Sequence, residues 1–218
     1  MSTPAHTWAS RRGFSLLELS VSLVISAALV ILTMRQMSED LHQRHLENES
    51  KWVVGVIDNI QREFGISRDF SSLSDLTMGR FSAVPPAYLD TRTAGVTTVT
   101  NGFSGRVHVG PLSLGATNNA YALTYTGISR DVCPRLAVLF HGQAKAGVPL
   151  YAMVGTMGTA TGIPTVALVG DDVTAPGHHV LQASERAGLD MQLVGTFCDS
   201  AGRSGDALRS MTLIRRPF

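Results

Sequence analysis

Glu18 is the only ionisable residue in an otherwise apolar stretch near the start of the chain. The stretch runs from Phe14 to Met34 and contains 21 residues, enough to cross a bilayer as a helix. A carboxylate is costly in hydrocarbon, so its presence there indicates a function and a cationic partner. We expect that partner to be the α-amino group of a neighbouring copy of the chain, because a buried carboxylate is tolerated when it is paired. This amine becomes available if the chain is cut between Gly13 and Phe14.

The residues around this bond resemble a known processing signal. Arg11 and Arg12 precede Gly13, an aromatic residue follows at Phe14, and Glu18 is fifth from the cut. The segment is similar to the class III signal of type IV pilins and pseudopilins. The resemblance implies that a prepilin peptidase removes the leader on the cytoplasmic side of the inner membrane and methylates the new N-terminus. It also implies that Gly13 and Phe14 form the processing site and that Glu18 acts in filament assembly.

Two other interpretations of the N-terminus stay open. A basic segment followed by an apolar run is also typical of a secretory signal peptide or of a plain signal anchor. The run is longer than the apolar part of a usual signal peptide, and no small-residue cleavage site clearly closes it, although Ser26, Ala27 and Ala28 lie inside it. A plain anchor gives no reason for an acid at Glu18. The pilin-type interpretation is therefore favoured.

Motifs typical of enzymes do not occur in the sequence. It contains no Gly-rich loop followed by Lys, no G-x-S-x-G and no H-E-x-x-H. Three pairs of ligand-type residues are not favoured as metal sites. His42 and His45 lie on a charged, solvated helix face, and His178 and His179 lie in a predicted turn, where adjacent residues point to opposite sides. Asp171 and Asp172 lack the alternating acidic spacing of a calcium loop. We therefore predict a protein that is not an enzyme, with no cofactor and no metal site.

The two cysteines, Cys133 and Cys198, lie in the part of the chain that we expect outside the cytoplasm. Disulfides form and persist in such compartments. A bond between them would close a loop of about 66 residues, which stabilises the fold by about 4 kcal/mol in the chain-entropy model. Two unpaired buried thiols are the alternative, and a zinc site is disfavoured because no paired histidines have the usual ligand spacing. We predict a disulfide.

Charge gives the orientation of the chain but no binding partner. The net charge of +1 carries no nucleic-acid footprint. Arginines before the apolar run, with Glu39 and Asp40 after it, fit an N-terminus in the cytoplasm and a C-terminal part outside. The predicted organisation is a leader at residues 1–13, a transmembrane or filament-core helix at 14–34, an amphipathic half of the same helix at 35–64, and a globular domain at 65–218.

Apolar spacing beyond the anchor predicts that the helix continues. Five residues fall on one stripe of an amphipathic helix: Val53, Val56, Ile57, Ile60 and Phe64. No proline interrupts the chain between the anchor and this stripe, so we predict one helix from Ser15 to Phe64. Gly65 is the predicted end, because glycine accepts the left-handed conformation that often follows a helix.

The rest of the chain predicts short elements separated by turns. Residues 66–105 are rich in Ser, Thr, Gly and Pro and predict a loop with short elements. Ser129 is a candidate cap for a short helix that reaches Phe140. Strands are predicted at residues 106–112, 120–126, 150–154, 165–169, 191–198 and 211–215, with a hairpin spacer at 115–119. An antiparallel sheet over the C-terminal half of the long helix follows, which is an α+β fold.

The layout around the first cysteine resembles the type IVb pilins of enteric bacteria and conjugative plasmids. The segment YTGISRDVCPRL places Cys133 in a predicted helix after a strand, and Cys198 lies far downstream. The resemblance implies a structural subunit of a type IV pilus, an inner-membrane precursor that becomes part of an extracellular filament for adhesion, conjugation or motility. It implies as partners other copies of the chain, the prepilin peptidase, the assembly platform, other pilins and, before assembly, the membrane; an external receptor is not identified.

Two alternative functions stay open. The first is a minor pilin or a type II secretion pseudopilin, because many of these proteins also keep the acid that Glu18 represents. The second belongs to another class, a membrane-anchored binding module that never polymerises. An uncleaved N-terminus would distinguish the second alternative from the pilin hypothesis.

Overall fold

The computed structural model describes residues 16–93, 96–145, 150–158, 162–199 and 208–216. Gly13 and Phe14 lie outside these ranges. The chain forms two compact units, Met1–Arg44 and His45–Phe218. The boundary between them falls within the first helix, α1 (Leu16–Phe64). The second unit is called the head below.

The described part of the first unit is the N-terminal portion of α1, which is apolar up to Met34 and largely polar from Arg35 to Arg44. Its large apolar side chains between Leu19 and Leu41 are each 49% to 67% exposed. This portion is long and apolar enough to cross a membrane. A helix that is apolar on all sides needs an apolar environment around it. The chain by itself does not supply that environment to these side chains.

In the head, α1 contributes its predicted apolar stripe to the main core. Val53, Val56, Ile57, Ile60 and Phe64 are all at most 7% exposed, which confirms the prediction from their spacing. They share one hydrophobic core with the strands and helices of the head. The α+β prediction is confirmed, because this core lies between the helix and one face of an antiparallel sheet.

The helix α1 ends at Phe64, as predicted, but the predicted left-handed glycine does not follow it. Gly65 does not adopt a left-handed conformation; its N–H donates to the carbonyl of Gln61 at 2.9 Å, as in a continuing helix. The next N–H to close on the helix is that of Arg68, which donates to the carbonyl of Phe64 at 2.9 Å. Arg68 has the positive φ of 51°. The left-handed residue after the helix is therefore Arg68, three positions beyond Gly65.

In the described ranges, nine strands make up the sheets of the head. They are β1 (Leu89–Thr93), β2 (Val96–Thr100), β3 (Arg106–Leu114), β4 (Ala116–Ile128), β5 (Ala152–Met157), β6 (Ala167–Val169), β7 (Asp172–Thr174), β8 (His179–Gln182) and β9 (Arg209–Arg215). Seven form one antiparallel sheet in the order β1-β2-β3-β4-β9-β5-β8, and β6 pairs with β7. Because β9 pairs with both β4 and β5, the last strand of the chain lies inside the sheet.

The short elements predicted between residues 66 and 105 are now identified, and one hairpin is tighter than predicted. The stretch at 66–105 contains β1 and β2, together with a short helix α2 (Asp75–Met78) and a 3-10 turn at Pro86–Tyr88. The spacer predicted at 115–119 belongs mostly to β4, and only Gly115, with φ of 78°, separates it from β3. Asn119 holds this turn, because its Oδ1 accepts the N–H of Leu114 at 2.7 Å.

The predicted strand at 191–198 is wrong, because these residues form the helix α4 (Met191–Asp199). The carboxylate of Asp190 accepts the N–H groups of Gln192 and Leu193, each at 3.0 Å, and so caps the helix. Val194, Phe197 and Cys198 are buried, which is helical spacing. The other predicted helix is present as α3 (Cys133–Lys145), and the backbone carbonyl of Ser129 accepts the N–H of Cys133 at 3.0 Å.

The two faces of the large sheet have separate cores. One face packs on α1, α3 and α4, and the other packs on the β6–β7 hairpin through a smaller cluster that includes Leu114, Val154 and Ile214. On this second face the hydroxyls of Thr124 and Thr212 are 2.9 Å apart and form a buried hydrogen bond. The sheet is therefore covered on both sides.

A close contact on β5 leads to a stability prediction. A Cβ at Gly155 would lie 2.8 Å from ring carbons of Phe197, which is fully buried. We expect Gly155→Ala to lower the free energy of unfolding by about 1 to 3 kcal/mol, because overpacking displaces a buried ring. Gly195→Ala is the matched control. It lies in α4 with no atom within 4 Å of an added Cβ, and it should gain up to about 1 kcal/mol. Urea unfolding of both variants measures the two effects, and a loss no larger in Gly155→Ala than in Gly195→Ala would contradict the contact.

Candidate assembly segment and its support in the head

Glu18 lies in α1, two residues after the first described residue of the helix. The residues that follow it present exposed apolar side chains, among them Leu19, Val21 and Leu23. Burying one large apolar side chain contributes about 1.5 to 3 kcal/mol. A segment of this kind can therefore be stabilised strongly by lipid or by other helices. The predicted cleavage bond lies just outside the described residues.

The predicted disulfide is present in the head. Cys133, the first residue of α3, is bonded to Cys198 near the end of α4, with Cα atoms 5.7 Å apart. Both residues are buried in the main core. An exposed ion pair between Arg130 and Asp199, with a nitrogen to oxygen distance of 2.8 Å, lies beside the bond. The disulfide thus joins two helices that pack on the sheet face shared with α1.

The structure contains a buried acid that the sequence prediction missed. Glu49 in α1 is 0% exposed. Its Oε1 accepts the N–H of Gly102 at 2.5 Å, and its Oε2 accepts the indole N–H of Trp52 at 2.9 Å. Burial raises the pKa of Glu49, and the hydrogen bonds from Gly102, Trp52 and Tyr88 partly oppose this rise. A signal was available, because Glu49 lies four residues before Val53 and so falls on the buried stripe.

The histidines and aspartates noted in the sequence lie at different places in the described structure. Nδ1 of His178 lies 3.1 Å from Oγ1 of Thr156, and the ring of His179 packs against Phe197 with centroids 5.4 Å apart. His45 is exposed, and the side chain of His42 is outside the described set. Asp172 begins β7, and the backbone carbonyl of Asp171 accepts the hydroxyl of Tyr151 at 2.7 Å. In the described ranges, no group of three or more His, Cys, Asp or Glu residues is arranged to hold a metal ion.

Comparison with known families decides the relationship of the chain. The family model "PilS N terminal" matches residues 48–171, more than half of the chain. The chain belongs to the PilS family. A second model, the prokaryotic N-terminal methylation motif, matches residues 8–34, which include Gly13, Phe14 and Glu18. The PilS-family chain is therefore a pilin-type protein, and pilins are structural proteins.

Two solved pilin structures are among those that match the chain. The crystal structure of type IV b pilin from Salmonella typhi is 12% identical and has a TM-score of 0.47, with 78% of this chain and 97% of that chain covered. The crystal structure of TcpA, a type IV pilin from Vibrio cholerae El Tor biotype, is 13% identical with a TM-score of 0.48, and 79% and 99% of the two chains are covered. No curated protein sequence matches the chain significantly.

Proposed function

We propose that the chain is a structural subunit of a type IV pilus of the IVb group. The peptidase cuts it between Gly13 and Phe14, and the processed subunit polymerises through α1 into a surface filament. The observation that carries the proposal is the unburied apolar portion of α1 in a chain that bears the N-terminal methylation motif. The membrane surrounds this portion before assembly, and neighbouring subunits surround it afterwards.

Glu18 selects the register of assembly in this proposal. An unpaired carboxylate inside a bundle of apolar helices is costly, whereas a carboxylate that meets the amine of Phe14 on a neighbouring subunit is neutralised. Subunits inserted out of register leave the charge unpaired and are disfavoured. The partners are thus other copies of the chain, the prepilin peptidase and the assembly platform.

The assignment to the IVb group is supported by the disulfide region of the head. The bond between Cys133 and Cys198 spans 65 residues of sequence. The segment that it encloses supplies four of the described strands, β5 to β8. A large disulfide-bounded C-terminal region is the feature by which the sequence resembles that group. The filament would serve adhesion, conjugation or motility.

Mass spectrometry of a sheared cell-surface fraction tests the proposal directly. Abundant chain that begins at methylated Phe14 supports a major pilin. Processed chain found only in the inner membrane would instead indicate a minor pilin or a pseudopilin. Chain that keeps residues 1–13 would exclude the processing step and leave a membrane-anchored binding module.

Gly13 gives a separate prediction about processing. We expect Gly13→Phe to keep the leader attached, because a large side chain at the residue before the cut cannot take the place of glycine in the peptidase site. Intact mass measurement of the membrane fraction detects the uncut leader, which contains 13 residues. Ser10→Phe, three residues upstream, is the control and should be processed. A Gly13→Phe protein with the mature mass would refute the cleavage site.

A further inference from the structure

Glu49 is held by donors that come from three different places in the head. Trp52 is on the same helix, Tyr88 belongs to the 3-10 turn before β1, and Gly102 belongs to the connection between β2 and β3. Residues Glu49 and Gly102 are separated by 53 positions in sequence. One carboxylate therefore joins α1 to two other segments of the chain.

The connection between β2 and β3 is arranged so that it offers an N–H to Glu49. Oδ1 of Asn101 accepts the N–H groups of Phe103 at 3.0 Å and Gly105 at 2.9 Å, and its Nδ2 donates to the carbonyl of Thr126 at 2.9 Å. These bonds fix the internal conformation of the loop and tie it to β4, whereas Glu49 is its contact with α1. The N–H of Gly102 remains directed at the carboxylate. A Cβ at this position would lie 2.7 Å from Oε1 of Glu49, so any larger residue would displace the carboxylate from the loop.

The electrostatic surroundings of Glu49 favour its neutral form. Burial raises the pKa of Glu49 and is the largest effect on it. Hydrogen bonds from Gly102, Trp52 and Tyr88 lower this pKa by less. Among the described residues no cation contributes. Burial and the charge of Glu49 raise the pKa of Tyr88 to about 12, and burial also raises that of Tyr125. The two tyrosines therefore keep their protons to higher pH than ordinary tyrosines, and Glu49 is the acid of this cluster.

We propose that Glu49 is a positioning residue that holds the 101–105 loop and Tyr88 on α1, and that its protonation makes the stability of the head depend on pH. The proposal concerns the head alone and does not depend on polymerisation. The folded head binds the proton of Glu49 more tightly than the unfolded chain, in which the carboxyl has its usual value of 4.5. The resulting stability is complete below about pH 4.5 and is lost as the pH rises through the folded pKa.

The indole of Trp52 reports this ionisation. The chain has two tryptophans, and the other, Trp8, lies in the leader. A Trp8→Phe background leaves Trp52 as the single emitter whether or not the leader is removed. The experiment follows Trp52 emission and urea unfolding of the full chain in detergent micelles from pH 4.5 to pH 8.5. The three proteins compared are the background, Glu49→Gln, and Glu47→Gln as the matched control on an exposed position of the same helix.

We expect the stability of the background protein to depend on pH through Glu49, and we expect Glu49→Gln to remove this part of the dependence. Each unit by which the folded pKa exceeds the unfolded value changes the folding equilibrium about tenfold across the titration. In the background and in Glu47→Gln, the folding equilibrium constant should fall by this factor as the pH rises. Their Trp52 emission should titrate with a midpoint above pH 4.5. Equal pH slopes for unfolding in Glu49→Gln and in the background would overturn the proposal.

Tyr88→Phe decides the question even if Glu49→Gln does not fold. Tyr88 is half-buried, and this change removes only the hydroxyl that hydrogen-bonds Glu49. With one donor fewer, the charged form of the carboxylate is less favourable. We expect the midpoint of the Trp52 titration to move to higher pH than in the background. A midpoint that stays unchanged or moves to lower pH would overturn the proposal, because a merely structural role for Tyr88 leaves the titration in place.

Discussion

Replacing Glu18 with alanine is expected to abolish filaments while membrane insertion and leader cleavage continue. The change makes the apolar run of 21 residues uninterrupted, so insertion into the membrane becomes easier. It also removes the charge that we propose pairs with the amine of Phe14 on a neighbouring subunit. Without that pair, no axial position of the apolar helix is preferred when the subunit packs against neighbouring subunits. Electron microscopy of the cell surface and the intact mass of the membrane-bound chain measure the two expectations.

Two further variants separate the charge of Glu18 from its size and position. Glu18→Gln keeps the shape and removes the charge, so it should also lack filaments if pairing is the cause. Glu39→Ala removes an exposed acid from the same helix outside the apolar run and should assemble normally. Normal piliation of Glu18→Ala would refute the assembly role of this residue.

Removing the disulfide should cause the largest loss of stability in the head. We expect Cys198→Ser to lower the free energy of unfolding by about 4 kcal/mol, the value for a loop of this length in the chain-entropy model. Domains are typically stable by only about 5 to 15 kcal/mol, so this loss is a large part of the total. The bonded residues are also buried in the main core, so the substitution places a polar hydroxyl among apolar side chains. Urea unfolding under non-reducing conditions measures the change.

The exposed ion pair beside the disulfide supplies the control. Arg130→Gln breaks the contact with Asp199. The side chains of Arg130 and Asp199 are 63% and 65% exposed, and exposed ion pairs contribute at most about 1 kcal/mol. Its unfolding midpoint should stay close to that of the original protein. If the original protein unfolds at the same urea concentration with and without reductant, the proposed contribution of the disulfide is wrong.

Local sequence determines the helix and its two kinds of surface. The unbroken apolar run that contains Leu19 and Leu23 makes a segment with no preferred side, and the later spacing from Val53 to Phe64 selects one face for burial. Both properties depend on residues within one or two helical turns of each other, so periodicity alone predicts them. The class III motif around Gly13 is local in the same way. The cysteine pair also follows from the sequence, because the chain holds just these two cysteines.

Contacts between distant segments decide the parts that the sequence does not determine. The apolar run at 191–198 has content suited to either strand or helix, and in the head it packs as a helix beside α3, to which its Cys198 is bonded. The strands β1 and β2 gain their place by pairing with β3, and β9 enters between β4 and β5 from the far end of the chain. The environment of Glu49 likewise requires Gly102, 53 residues away. Such pairings depend on the geometry of the whole sheet, which neighbouring residues in the sequence do not encode, and only the tertiary structure decides them.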